Sequence, residues 1–467
     1  MTRVSDSDPT VSLRYRAGTL ELRGLPSDHA IGDAPEQIVK WDGRSRCWRS
    51  PAVSYAPLVM WLVRNSIQYS DEAAAYERLT LRYDAQGRQA RPYQQEALQA
   101  WLQQGARGVV VLPTGAGKTL VAMLAIADRQ RSAIVVAPTL DLVRQWYDLL
   151  KLSFGLEVGL LGGGDFDIKP LTVSTYDSAH LHVEHWGNRF GLVVFDEVHH
   201  LPSPNYQLAA RCSLAPYRLG LTATPERADG AESAVEDLVG PVVYRRDIVE
   251  MAGEFLAAYE TIRIEVQLTP DERTEYEAAR SVYLNFARQQ GVRMGSPQGF
   301  TQFIQRAARS KQGRTALDAY RRQKTLAVAA SGKLETLSDL LTRHGSDRCL
   351  IFTLDNLTVY EISRLFLIPA ITHQTKVKER SEILARFAEG SYSAVVTSRV
   401  LNEGVDVPEA NVAIIVSGTG SVREHVQRLG RILRPQNGKR AKLYELVTAQ
   451  TGETGTSQRR REHQAYR

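Results

Sequence analysis

The sequence predicts an α/β chain with two parallel-sheet domains, a small N-terminal domain in front of them and a helical insert between them. Three observations carry this. Short apolar runs alternate with helical stretches in two separate halves, the pattern of strands covered on both faces by crossover helices. One run feeds a glycine-rich loop and another an acidic pair, as at the carboxyl edge of an open parallel sheet. The chain has 467 residues, more than one hydrophobic core usually spans. The expected units are 1–85, 86–250, 251–330 and 331–450, followed by a basic tail at 451–467.

Taken in order, residues 11–43 are punctuated by Gly18, Gly24, Pro26 and Gly32 and predict short β elements before a helix near 55–65. There Trp41, Arg44, Arg46, Trp48 and Arg49 interleave rings with guanidinium groups, a pattern shared by base-stacking surfaces and by small cores rimmed with arginine. In the first half, strands are expected at 109–112, 134–137, 172–174, 192–195 and 219–221, with a helix over 140–150. Thr269-Pro270-Asp271-Glu272 then reads as a helix start, with Thr269 as cap, Pro270 in the first turn and Glu272 reaching back. Tyr276, Ala279, Tyr283 and Phe286 follow at helical spacing until Gly295-Ser296-Pro297 breaks the pattern, so 270–331 predicts a helical hairpin. Its second arm carries Arg306, Arg309, Lys311, Arg314, Arg321, Arg322 and Lys324 against the single acid Asp318, a face able to neutralise several phosphates. The second half adds strands at 349–352, 394–397, 412–416 and 443–447, and Arg459-Arg460-Arg461 in the tail either extends the basic face or is simply solvated.

Composition narrows the class. Net charge is +6 and the pI about 9.1, mild for a nucleic-acid binder, so the local clustering of arginine matters more than the total. The cysteines, Cys47, Cys212 and Cys349, are odd in number and far apart, which argues against a disulfide framework and a four-cysteine cluster. No apolar run is long enough to span a membrane, and the polar start at 1–10 does not resemble a signal peptide, so a cytoplasmic protein is expected.

The chemistry concentrates in four segments. Thr114-Gly115-Ala116-Gly117-Lys118-Thr119 lies between a strand and a helix, where the glycines let backbone amides face an anion. Lys118 suits the β/γ-phosphates of a nucleoside triphosphate and the Thr119 hydroxyl suits Mg²⁺; Leu112 stands where the strict pattern has glycine, so the loop is the shorter Pro-Thr-Gly-x-Gly-Lys-Thr form. At the end of the 192–195 run, Asp196 is placed to hold the metal and Glu197 to orient and deprotonate a water. Thr222 and Thr224 set hydroxyls beside those carboxylates, with His199 as the partner that reports nucleotide state. Arg431 and Arg434 fall on one helical face together with Gln427 and Gly430, an arrangement for charge stabilisation worth about 10³–10⁵ in rate.

Jointly these segments resemble the superfamily 2 helicases, over 91–435. The resemblance implies RecA-like sheet domains with ATP and Mg²⁺ as cofactors. It implies that Gln94 in Arg91-Pro92-Tyr93-Gln94 reads adenine, that Thr139, Thr175 and Thr397 contact nucleic acid, and that Gly404 and Asp406 face the nucleotide. Within that superfamily the chain is most similar to the XPB family of DNA repair and transcription helicases, through Trp41-Asp42-x-Arg44, Asp196-Glu197-Val198-His199, the helical insert and Gln427-Arg428-Leu429-Gly430-Arg431-Ile432-Leu433-Arg434-Pro435. That family carries an Arg-Glu-Asp element where this chain has Arg227-Ala228-Asp229, so only Arg227 and Asp229 of its duplex-contacting residues are kept. The resemblance further implies a damage-recognition-like N-terminal domain, a thumb that grips DNA and movement 3′ to 5′. The expected partners are duplex or forked DNA with a single-stranded tracking strand, and a nuclease or repair protein. The motifs themselves leave open an RNA helicase, the motor of a restriction or nuclease system, and an ATP-switched clamp without processive movement.

Overall fold

The computed structural model describes residues 11–25, 39–85, 89–226, 230–296, 298–398, 410–418 and 440–461. The chain divides into two compact units, 1–247 and 248–467.

The first unit opens with a five-stranded sheet: β1 (Val11–Arg16), β2 (Thr19–Arg23), β3 (Lys40–Asp42), β4 (Cys47–Pro51) and β5 (Tyr69–Asp71), in the order β3-β4-β2-β1-β5. Leu13, Leu20 and Leu22 pack there against Leu58, Trp61 and Leu62 of the helix Tyr55–Arg64. This sheet is joined to the rest of its unit through polar contacts to backbone. Tyr15 Oη donates to the carbonyls of Cys212 at 2.9 Å and Val183 at 3.2 Å, and Asn188 Nδ2 donates to Ala73 O at 3.1 Å.

The larger sheet of the unit comprises β6 (Arg107–Val111), β7 (Ala133–Ala137), β8 (Val158–Gly162), β9 (Asp165–Asp167), β10 (Leu171–Thr175), β11 (Leu192–Asp196), β12 (Tyr217–Thr222) and β13 (Val242–Arg245). Their order is β13-β6-β12-β11-β7-β10-β8-β9, parallel except for β9. The register sets Asp196 opposite Leu221, and Thr222 opposite Val111. The carboxyl ends of β6, β12 and β11 therefore meet at one edge, where such sheets bind ligands. All five expected strands are present; four are longer than expected by one to three residues, and β6 begins two residues earlier and ends one residue short of the expected span, while β8, β9 and β13 were not anticipated.

A cation sits inside this unit. Arg218, on β12, is fully buried, and its guanidinium donates to the carbonyls of Ala215 (3.1 Å), Ala210 (2.9 Å), Leu238 (2.7 Å) and Ser213 (2.6 Å). Ala210 and Leu238 lie in the last turns of the helices Gln207–Arg211 and Glu232–Leu238, where unpaired carbonyls carry partial negative charge. Burial, with Arg107 nearby, pushes the Arg218 pKa down; the ring of carbonyls opposes it by favouring the charged form.

The second unit contains β14 (Ala258–Val266), β15 (Cys349–Phe352), β16 (Ala370–Ile371), β17 (Ala394–Thr397), β18 (Val412–Ile415) and β19 (Arg440–Thr448), all parallel, in the order β14-β19-β18-β15-β17-β16. β14 falls within 251–330, so that stretch is not helical throughout: it begins as an edge strand of the second sheet. The insert follows as three helices, Pro270–Gln289, Gly299–Ala307 and Lys311–Val328, one more than a simple hairpin. Its start has the expected box: Thr269 Oγ1 accepts from Glu272 N at 3.3 Å and Glu272 Oε2 accepts from Thr269 N at 2.9 Å. Tyr283, Phe286, Phe303 and Ala307 form its own small core. The tail forms the helix Gly452–Arg461, held by the Lys333–Glu453 ion pair at 2.6 Å.

Arg218→Met leaves four interior carbonyls without a donor, and each such group costs about 1–3 kcal/mol. Urea unfolding of the full chain is expected to show the first unit destabilised by at least about 3 kcal/mol. A transition unmoved by the substitution contradicts this account of the buried arginine.

Candidate nucleotide site

The loop after β6 turns on two glycines in the left-handed region, Gly115 at φ 86° and Gly117 at φ 79°. A Cβ at Gly117 would stand 2.5 Å from Gln94 Nε2, so close approach as well as backbone conformation requires glycine there. Gln94 braces the loop from behind: its Nε2 donates to Ala116 O at 2.9 Å and Gly117 O at 3.3 Å, while its Oε1 accepts from Arg91 N at 2.9 Å. Tyr93 Oη adds a bond to Ala116 O at 2.7 Å. Both ends of the Gln94 amide are thus engaged by the protein, in a role that sequence alone did not indicate.

Lys118 opens the helix Lys118–Arg129. The residue is 9% exposed and its ammonium donates to Leu112 O at 3.2 Å, with no carboxylate in salt-bridge range among the described residues. Thr114 Oγ1 is buried there with no hydrogen-bond partner among the described residues. A buried ammonium, an orphaned hydroxyl and the first amides of a helix together make an anion cradle.

The acids stand at the end of β11. Asp196 is 7% exposed; its Oδ2 accepts the Trp146 indole Nε1–H at 2.8 Å and its Oδ1 accepts Glu197 N at 3.0 Å. Burial pushes its carboxyl above the usual carboxylate range, opposed first by the Trp146 bond, then by Lys118 and the Glu197 amide. Glu197 has a left-handed backbone, φ 47°, costly for a side-chain-bearing residue and typical of functional sites. Its Oε2 is buried with no hydrogen bond among the described residues, 3.4 Å from His199 Nδ1. A carboxylate oxygen stripped of water and given no donor is suited to accept a proton.

His199 connects this acid to the third segment. Its Nδ1 lies 3.0 Å from Thr222 Oγ1, which donates to Thr224 O at 3.1 Å. With the Thr222 proton so used, the imidazole Nδ1 is the donor in that pair, and the tautomer follows from the network. The structure therefore brings together Thr114, Gly115, Ala116, Gly117, Lys118, Asp196, Glu197, His199, Thr222 and Thr224 at the edge of one sheet.

The remaining expected residues lie partly at this edge and partly beyond it. Thr139 and Thr175 cap helices at that same edge, accepting from Leu142 N at 3.3 Å and Ser178 N at 3.1 Å. In the second unit Thr397 ends β17 with its hydroxyl buried and without a hydrogen-bond partner among the described residues, and Arg306, Arg309, Arg314 and Arg321 are exposed on the insert. Arg227, Asp229, Gly404, Asp406, Gln427, Arg431 and Arg434 lie outside the described residues. Trp146 was missed, since nothing in its local sequence distinguishes it from a core residue of an amphipathic helix.

Mg²⁺ fits these donors. Among the described residues no three His, Cys, Asp or Glu side chains form a metal cage, and Mg²⁺ commonly takes one or two protein oxygens with phosphates and water. Asp196, with the hydroxyl of Thr119 at the start of the helix Lys118–Arg129, would hold it. Lys118→Ala is expected to lower nucleotide affinity and hydrolysis together, because an ammonium in such a cradle would serve both a bound triphosphate and its transition state. Titration of a fluorescent ATP analogue with parallel turnover measurements checks this, and normal values for both contradict the cradle.

Family models match three stretches of the chain: the Xeroderma pigmentosum group B helicase damage recognition domain at 13–73, the Type III restriction enzyme res subunit at 88–227 and the ERCC3/RAD25/XPB C-terminal helicase at 314–466. The chain is 39% identical to the DNA 3′-5′ translocase XPB2 of Sulfurisphaera tokodaii, over 97% of this chain and 100% of that protein. It is 32% identical to the DNA 3′-5′ helicase XPB of Kineococcus radiotolerans, over 77% of this chain but 60% of that longer protein. The helicase domain of Pyrococcus furiosus Hef aligns with a TM-score of 0.57 at 19% identity, covering 81% of this chain and 99% of that one, a likeness of fold. With the cradle, the acid pair and the N-terminal sheet all inside these matches, the chain belongs to the XPB family of helicases.

Proposed function

We propose that this protein is an ATP-driven DNA translocase of XPB type that moves 3′ to 5′ and opens duplex DNA, as in repair. The observation that carries the reading is the edge of the first large sheet. There a phosphate cradle, a buried carboxylate for Mg²⁺ and a glutamate with a strained backbone converge in a chain of this family. Bound Mg²⁺ supplies charge neutralisation on the phosphates. Lys118 and the loop amides bind them, Asp196 and Thr119 hold the cation, and Glu197 orients a water and takes its proton. His199 passes the state of Glu197 to Thr222 and Thr224. Gln427, Arg431 and Arg434 supply charge and polarity in the transition state, and Gly404 and Asp406 face the nucleotide.

DNA is gripped in two places in this reading. Thr139, Thr175 and Thr397, with Arg227 and Asp229, meet the strands, and the insert neutralises phosphates. Arg306, Arg309, Lys311, Arg314 and Lys324 are exposed with no ion pair among the described residues, whereas Arg322 is committed to Glu275 at 2.6 Å and Arg321 to Asp318 at 3.4 Å. A nuclease or repair protein is the expected partner, in the cytoplasm.

The reading predicts that duplex DNA, and not RNA, stimulates ATP hydrolysis, and that Arg431→Ala removes most of that stimulation while leaving nucleotide binding intact. Equal stimulation by RNA contradicts the substrate. Neutralising Arg306, Arg309, Arg314 and Arg321 together is expected to flatten the salt dependence of DNA binding, each lost contact removing about 0.7–0.9 from the slope. ATPase without DNA is expected to stay unchanged; an unaltered salt slope places the grip elsewhere.

A further inference from the structure

Trp146 is buried to 2% exposure on the helix Leu140–Phe154, and its indole touches the carboxylate assigned to the metal. The contact is specific in direction. Trp146 Nε1 reaches Oδ2 at 2.8 Å and the Glu197 amide reaches Oδ1 at 3.0 Å, so the two oxygens have separate donors and the carboxylate plane is fixed. An indole has one N–H and no acceptor, so it cannot take the carboxylate's proton or bind the cation itself. Being neutral, it also leaves the Asp196 charge available, where an arginine or lysine would compete with the metal for it.

We propose that Trp146 is a positioning residue for the catalytic metal: it holds the Asp196 carboxylate in the orientation that accepts Mg²⁺. This rests on the assignment of Asp196 to the cation. Outer partners of this kind typically change metal affinity by about 10- to 100-fold when removed.

The test uses the full chain saturated with a non-hydrolysable ATP analogue and titrated with Mn²⁺, free Mn²⁺ being read by electron paramagnetic resonance. Trp146→Phe keeps the aromatic bulk and removes the donor. It is expected to weaken Mn²⁺ binding about 10- to 100-fold, with metal-free binding of the analogue held within about twofold. In an Asp196→Asn background the same substitution is expected to add no further loss, because its effect runs through that carboxylate. Unchanged Mn²⁺ affinity in Trp146→Phe, with affinity lost in Asp196→Asn, overturns the role of Trp146 alone. Unchanged affinity in Asp196→Asn overturns the metal assignment and this inference with it. Should Trp146→Phe not fold, the unsubstituted chain still decides. With nitrogen-15 in its six tryptophans, one indole signal is expected to broaden on Mn²⁺ binding and to shift in Asp196→Asn, and a spectrum unaffected by both overturns the proposal.

Discussion

Keeping Asp196 ionised in a place where burial opposes ionisation is the constraint around which the first unit is arranged. A carboxylate at the end of a central strand, between β7 and β12, is denied water by the sheet's own neighbours. The protein answers with one indole N–H, one backbone amide and the Lys118 charge. None of these is a salt bridge that would consume the acid. The charges at this edge are therefore held by weak donors and remain available to a ligand.

The same economy appears away from the site. Arg218 is solvated by four carbonyls, and this draws the ends of two short helices onto β12, the strand that delivers Thr222. Lys333, in the second unit, is likewise fully buried: its ammonium donates to Val416 O at 2.8 Å, just past β18, and to Glu453 of the last helix at 2.6 Å. Glu453 also accepts Thr448 N at 3.0 Å, so one carboxylate ties the C-terminal helix to β19 and to the start of the helix Ser331–Arg343. Breaking a buried pair of this kind by removing one partner usually costs about 3–5 kcal/mol, which makes the last helix part of the second unit's framework.

Apart from β8, whose Val-Gly-Leu-Leu-Gly run is broken by glycines, strands buried on both faces were legible in the sequence because apolar residues dominate them; β15 and β17 match their expected spans residue for residue. Edge strands were not. β14 reads Ala-Tyr-Glu-Thr-Ile-Arg-Ile-Glu-Val with one face toward solvent, and β13 is exposed at both ends, so neither presents an apolar run. The insert's helix start was readable from its capping box and its basic second arm is the helix Lys311–Val328, whereas the middle helix Gly299–Ala307 begins at Gln298 with no side-chain cap to announce it. At the site, the motif residues carry their chemistry in their spacing. The contacts that tune them do not: Trp146 lies 50 residues from Asp196, and Gln94 lies 22 from the carbonyl it braces. Such partnerships exist only once the sheet has formed.

The central claim is that proton acceptance at Glu197 drives movement along DNA. Glu197→Gln keeps the shape of the side chain and removes its basicity, so nucleotide and DNA are expected to bind as before. Displacement of the third strand from a triplex on duplex DNA, with ATP present, is the most direct measure of movement. The account predicts ATP-dependent displacement by the unsubstituted protein and none by Glu197→Gln. Displacement by Glu197→Gln at the unsubstituted rate contradicts it.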